Sequence, residues 1–112
     1  MTKLKSADFK SQAQVFKALG HPHRVRLFAR LASCCQPGVL LTPEEKRACV
    51  GKLGEGLDIS SSTLSHHLKE LRQAGLIRMQ KQGQLTECWV EPETLQLLSR
   101  VFLEVFCQKD CC

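Results

Sequence analysis

The serine run Ser60-Ser61-Ser62 stands just before Leu64, Leu68 and Leu71, and Ala74-Gly75 follows them. A serine hydroxyl can accept from the open backbone N–H groups of a first helical turn, the leucines recur at helical spacing, and glycine takes the left-handed backbone that ends many helices. Directly afterwards the period of the pattern shortens to that of a strand. Leu76-Ile77-Arg78-Met79-Gln80 and Leu85-Thr86-Glu87-Cys88-Trp89-Val90 each alternate, and the polar, glycine-containing Lys81-Gln82-Gly83-Gln84 joins them. A capped helix that runs into a β-hairpin is an α+β arrangement, and the rest of the chain must be fitted around it.

The flanking segments read as helices. Phe9, Ala13, Phe16 and Leu19 recur at helical spacing over residues 8–19, and Gly20 closes this first helix. Pro22 suits the opening position of a second, with Val25, Phe28 and Leu31 expected inward, Arg24, Arg26 and Arg30 outward, and a stop near Cys35 before Gln36-Pro37-Gly38. Thr42-Pro43-Glu44-Glu45 is a start signal with a capping box, and predicts a third helix running to about Gly54. A third helix joined by a short glycine-containing bend to a fourth rich in short polar side chains makes a helix-turn-helix pattern. Pro92 opens a last helix in which Leu95, Leu97, Leu98, Val101, Phe102, Leu103, Val105 and Phe106 exceed what one face of a small domain can bury. That surplus is expected to meet a partner subunit.

At 112 residues the chain is expected to form a single domain over residues 1–112, ending in a thiol-rich tail at 107–112. Its 43% hydrophobic and 24% charged composition is that of an ordinary globular protein. No apolar run approaches a membrane span, and the opening Met1-Thr2-Lys3-Leu4-Lys5 lacks the apolar core of a signal peptide, so a cytoplasmic protein without a membrane partner is expected. Sixteen basic against eleven acidic residues leave a net charge of +5, which suits a polyanionic partner. Aromatic residues make up only 5%, which argues against a stacking surface for single strands. With no carboxylate pair, nucleophile–base pairing or phosphate loop in evidence, an enzyme is not expected.

Ser61, Ser62, Thr63, Ser65 and His66 fall in the early turns of the fourth helix, where short side chains allow the close approach needed to read base edges of double-stranded DNA. Lys69 and Arg72, farther along, can bind phosphates, and Lys81 near the hairpin tip can reach a groove or the backbone. A plain surface helix with a long serine cap is the alternative. His66 and His67 point about 100° apart on a helix, so one faces outward while the other packs within the domain.

At Ala18-Leu19-Gly20-His21-Pro22-His23-Arg24-Val25-Arg26-Leu27, and again at Ser62-Thr63-Leu64-Ser65-His66-His67-Leu68-Lys69-Glu70-Leu71-Arg72-Gln73-Ala74-Gly75-Leu76-Ile77, the chain resembles the ArsR/SmtB family of metalloregulatory repressors. The resemblance spans roughly residues 9–106. It implies a winged helix-turn-helix homodimer that leaves its operator when an inducer binds. It also implies that residues 61–69 carry the DNA contact, that the hairpin is the wing, and that the first and last helices form the dimer interface.

The inducer site departs from two patterns of that family. Arsenic-responsive members carry Cys-Val-Cys-Asp-Leu where this chain has Cys49-Val50-Gly51-Lys52-Leu53, so Cys49 has lost its partner thiol. The zinc and cobalt sensors use Asp and His ligands from the wing and last helix, and residues 93–110 contain no histidine. Seven cysteines nevertheless point to metal, metalloid or redox chemistry. Cys107, Cys111 and Cys112 place three soft ligands within six residues, a set suited to As(III) or Sb(III), with Lys109 favouring the thiolates. Cys34 and Cys35 are weaker candidates that could supply a fourth ligand to zinc. The expected function is a repressor that releases DNA on binding trivalent arsenic or antimony. Two readings stand beside it: a thiol–disulfide regulator of the same fold, pairing Cys34 or Cys35 with the tail, and a thiol-rich metal carrier or storage protein.

Overall fold

In the computed structural model, residues 9–33 and 48–103 are described. They form α1 (Phe9–Leu19), α2 (Pro22–Ala32), β1 (Ala48–Cys49), α3 (Val50–Leu53), α4 (Ser61–Gln73), β2 (Arg78–Gln82), β3 (Leu85–Trp89) and α5 (Pro92–Val101). Local chemistry sets the main boundaries. His21 is extended and caps α2, its Nδ1 accepting from the His23 backbone N–H at 3.1 Å, while Pro22 occupies the first turn, where no donor is missed. Ser60 caps α4 through its hydroxyl, which accepts from the Thr63 N–H at 3.2 Å. At the other end Gly75 takes φ +81°. The Leu76 N–H then reaches the Leu71 carbonyl and the Gly75 N–H that of Arg72, each at 3.0 Å. This is the Schellman closure, and it folds Leu76 back onto Leu71, both fully buried.

Three antiparallel strands form one sheet in the order β1-β3-β2. β2 and β3 meet across Gly83-Gln84, with Gln82 opposite Leu85 and Arg78 opposite Trp89. Gly83 has φ +63° and Gln84 does not share the positive sign, the φ pattern of a type II′ hairpin turn. The core lies between the helices and β3. Val15 and Ala18 come from α1, Leu27 and Leu31 from α2, Leu64, Leu68 and Leu71 from α4, and Cys88 from β3.

Two arginines on α2 knit the helices together. Arg30 donates through Nη1 to the Leu53 carbonyl at 2.7 Å and the Glu55 carbonyl at 2.8 Å, satisfying acceptors left over at the end of α3. Arg24 donates through Nε to Nδ1 of His67 at 3.1 Å and through Nη1 to the Ala18 carbonyl at 3.5 Å.

Three expectations need correction. Gln12, Val15 and Ala18 are the buried residues of α1, whereas Phe9 and Phe16 are 71% and 40% exposed and Ala13 faces outward. The helix carries two apolar stripes, and the small one fits the close approach to α2 and α4. On α2 the inward residues are Leu27 and Leu31, with Phe28 partly buried and Val25 at the surface, and Arg24 folds inward to His67. The expected third helix is not helical at Ala48 and Cys49, which pair with Cys88 and Glu87 of β3, and α3 begins only at Val50. Pairing with the central strand outweighs helix propensity at those two positions.

Candidate DNA interface

The cap of α4 is a small network. Beyond its bond to the Thr63 backbone, Ser60 Oγ lies 2.9 Å from Thr63 Oγ1 and 3.1 Å from Ser62 Oγ. Tying the hydroxyls together fixes the first turn, so the outward residues stand on an ordered backbone. Leu64, His67, Leu68 and Leu71 are buried. The opposite face presents Ser61, Ser62, Thr63, Ser65, His66 and Lys69, all exposed. Of the two adjacent histidines, His66 faces outward and His67 packs within.

The hairpin stands beside this helix. Successive residues of a strand face opposite sides, so the pairs Met79–Cys88 and Lys81–Thr86 share one face of the sheet. Met79 and Thr86 from that face meet Ser65, Leu68, Lys69 and Arg72 of α4 around an open cleft of about 240 Å³. Its rim carries hydroxyls and cations and its floor is apolar. Lys81, exposed near the tip, lies on the same sheet face. At the base of the hairpin Glu91 accepts from the Trp89 indole N–H at 3.1 Å and lies 3.4 Å from Arg78 Nε, fastening the strand pair where α5 begins.

Behind the outward face His67 stays neutral more readily than an ordinary histidine. Burial holds its pKa below the usual value, helped by the nearby His21, Arg24, His23 and His66. Sequence reasoning missed the Arg24–His67 contact, which joins residues 43 positions apart and leaves no periodic trace. It also missed Thr86, whose place beside Lys81 follows from the two-residue turn once that turn is assigned.

Cys107, Cys111, Cys112 and Lys109 lie outside the described residues, as do Cys34 and Cys35. Cys49 belongs to β1, opposite Glu87. Among the described residues no group of three His, Cys, Asp or Glu side chains is placed to hold a metal ion. No helix among them is long and apolar enough to cross a membrane.

A helix-turn-helix domain family matches residues 19–80, which span α2 through most of β2. The chain is 32% identical to the arsenical resistance operon repressor of Bacillus subtilis (strain 168) over the whole of both proteins. It is 30% identical to YceK, an uncharacterised HTH-type transcriptional regulator of the same strain, over 90% of this chain and 91% of that one. Among solved structures, an ArsR family transcriptional regulator superposes with a TM-score of 0.70 at 24% identity, covering 91% of this chain and 93% of that one, and it shares the winged helix-turn-helix fold.

Proposed function

Because the chain belongs to the ArsR/SmtB family of DNA-binding transcriptional regulators, we propose that it is a cytoplasmic repressor that occupies its operator as a homodimer and releases it on binding trivalent arsenic or antimony. The observation that carries the DNA contact is the ordered, outward first half of α4 beside the hairpin, with Ser61, Ser62, Thr63, Ser65 and His66 free to approach base edges. Lys69 and Lys81 flank that face and neutralise phosphates. The homodimer draws support from the apolar ends of α1 and α5. Phe9, Phe16, Phe102 and Leu103 are exposed, and Phe16 meets Phe102 edge-to-face at 5.9 Å. A second copy covering this patch would remove it from water and set the spacing of two recognition helices, about 34–36 Å for successive major grooves.

The inducer reading rests on donor chemistry in the sequence and on the full-length similarity to an arsenical resistance operon repressor. Cys107, Cys111 and Cys112 would hold the metalloid through three thiolates, a donor set that suits a soft trivalent centre. Such a ligand needs only a few kcal/mol of differential affinity between two dimer geometries to empty an operator.

An operator-release titration with arsenite, antimonite, zinc and peroxide side by side tests this. Release by arsenite or antimonite is expected for the wild type, and retention of operator for Cys107→Ser, Cys111→Ser and Cys112→Ser, since a hydroxyl is a poor ligand for a soft centre. Cys49→Ser is expected to respond normally. If Cys34→Ser or Cys35→Ser abolishes release while Cys112→Ser does not, the tail triad is wrong. Release by peroxide alone replaces the metalloid with a disulfide switch.

A further inference from the structure

All four histidines of the chain meet at one place. His21 and His23 come from the start of α2, and His66 and His67 from α4. Ring centroids lie 4.5 Å apart for His21–His67, 5.3 Å for His21–His23, and 5.9 Å for both His23–His67 and His66–His67. At the centre His67 is 5% exposed, and its Nδ1 accepts from Arg24 Nε. Through Arg24 the same contact reaches the Ala18 carbonyl, so α1, α2 and α4 are joined at this point.

A guanidinium only donates, so the Nδ1 that receives from it carries no proton, and the neutral ring holds its hydrogen on Nε2. The next proton must therefore arrive on Nδ1, the atom Arg24 uses. It converts the acceptor into a donor aimed at a donor, and places a cation against a fixed one.

We propose that this cluster is a proton-operated latch on the recognition helix: with His67 neutral, Arg24 holds the orientation of α4 that presents Ser65 and His66 to DNA, and a proton on Nδ1 of His67 releases it. Arg24 and His67 are thus positioning residues for the DNA contact, and the proposal rests on the DNA-binding reading above. The titratable and charged groups facing His67 are His21 ahead of α2, Arg24 and His23 from α2, and His66 from its own helix. Glu70, one turn farther along α4, instead lines the cleft against α1 with Lys17. The facing groups are thus cations or imidazoles, and each opposes a positive charge on His67. Burial adds to this by holding His67 below its ordinary pKa. The sign for stability follows. The unfolded chain takes up this proton more readily than the folded one, so the contribution is full above the ordinary histidine range and is lost as pH falls toward the lowered folded value.

The test has two arms on the whole protein. In the first, histidine ring and backbone amide resonances are followed against pH without DNA. The His67 ring is expected to titrate below the ordinary histidine range, and the α4 amides to move in step with it. In the second, affinities for operator and for unrelated duplex DNA are compared at about pH 7.5 and about pH 5.5, on either side of the ordinary histidine pKa. The ratio of the two is expected to fall about tenfold in acid, the size of one lost hydrogen bond. His67→Asn keeps an acceptor oxygen at the Nδ1 position without titrating, and is expected to flatten that fall. The latch is overturned if the α4 amides ignore the His67 titration, or if His67→Asn retains the wild-type fall. If no operator is bound at any pH, the DNA-binding reading fails, and the amide titration alone decides the latch.

Discussion

Helices α4 and α1 pack against one another yet sort their residues in opposite ways. α4 turns Leu64, Leu68 and Leu71 into the core and leaves hydroxyls and cations outside. α1 turns Gln12, Val15 and Ala18 inward and leaves Phe9, and in part Phe16, exposed to water. For α4 the buried side is the only apolar one, so its inward direction is settled by the transfer free energy of three leucines, about 1.5–3 kcal/mol each. For α1 the larger aromatic stripe is not spent on the domain's own core. A helix that shows solvent its bulkiest apolar residues fits the proposed second copy, and its two stripes can be altered separately.

Five substitutions sharpen that contrast. The largest effect is expected for Leu68→Ala on α4, where a fully buried side chain leaves a cavity, and a loss of about 2–5 kcal/mol should appear in denaturant unfolding. A comparable substitution in the aromatic stripe, Phe9→Ala, is expected to leave the unfolding of the isolated subunit nearly unchanged, because that ring is 71% exposed. Next comes Phe102→Glu, which puts a charge into the proposed subunit contact. It should raise the dimer dissociation constant roughly a hundredfold or more, read by sedimentation, from a penalty of about 3 kcal/mol for an unpartnered buried charge. A wild-type protein that is monomeric at micromolar concentration removes the second surface altogether. The smallest effect belongs to the outer face of α4. Ser65→Ala and His66→Ala should each cost about 1–3 kcal/mol of operator affinity with the unfolding transition intact. Unchanged affinity in both moves the DNA-reading face elsewhere.

The same contrast explains what could be read from the sequence. At α4 the serine cap, the leucine spacing and Gly75 all favour one answer, so that helix was legible nearly residue by residue. The hairpin was legible without its register: the connection expected over residues 81–84 is a two-residue turn at Gly83-Gln84, because β2 runs from Arg78 to Gln82 and pairs to the turn, where residues 76–80 were expected. At α1 two stripes both satisfy helical periodicity, and nothing local says which belongs to the core. The strand Ala48–Cys49 is too short to carry a period of its own and exists because β3 offers a partner. The outward direction of His66 and the inward one of His67 follow from the 100° rule once the leucine stripe is fixed. That His67 then accepts from Arg24 depends on how α2 crosses α4, a tertiary fact without a sequence signature. The thiols of the tail and of Cys34-Cys35 were legible as chemistry only, since spacing identifies a ligand set without its geometry.

Cys88 lies at 0% exposure on the middle strand of the sheet, without a disulfide. In a chain with seven cysteines this makes it a built-in clock. An alkylating reagent can reach that sulfur only when the sheet parts from the helices, so the rate of its labelling measures how often the domain opens. A slow reaction at this sulfur reports the fold rather than surface chemistry. Mass spectrometry of a timed alkylation reads it directly, and a ligand, an operator or a change of pH that tightens the domain registers as a slower tick at this position.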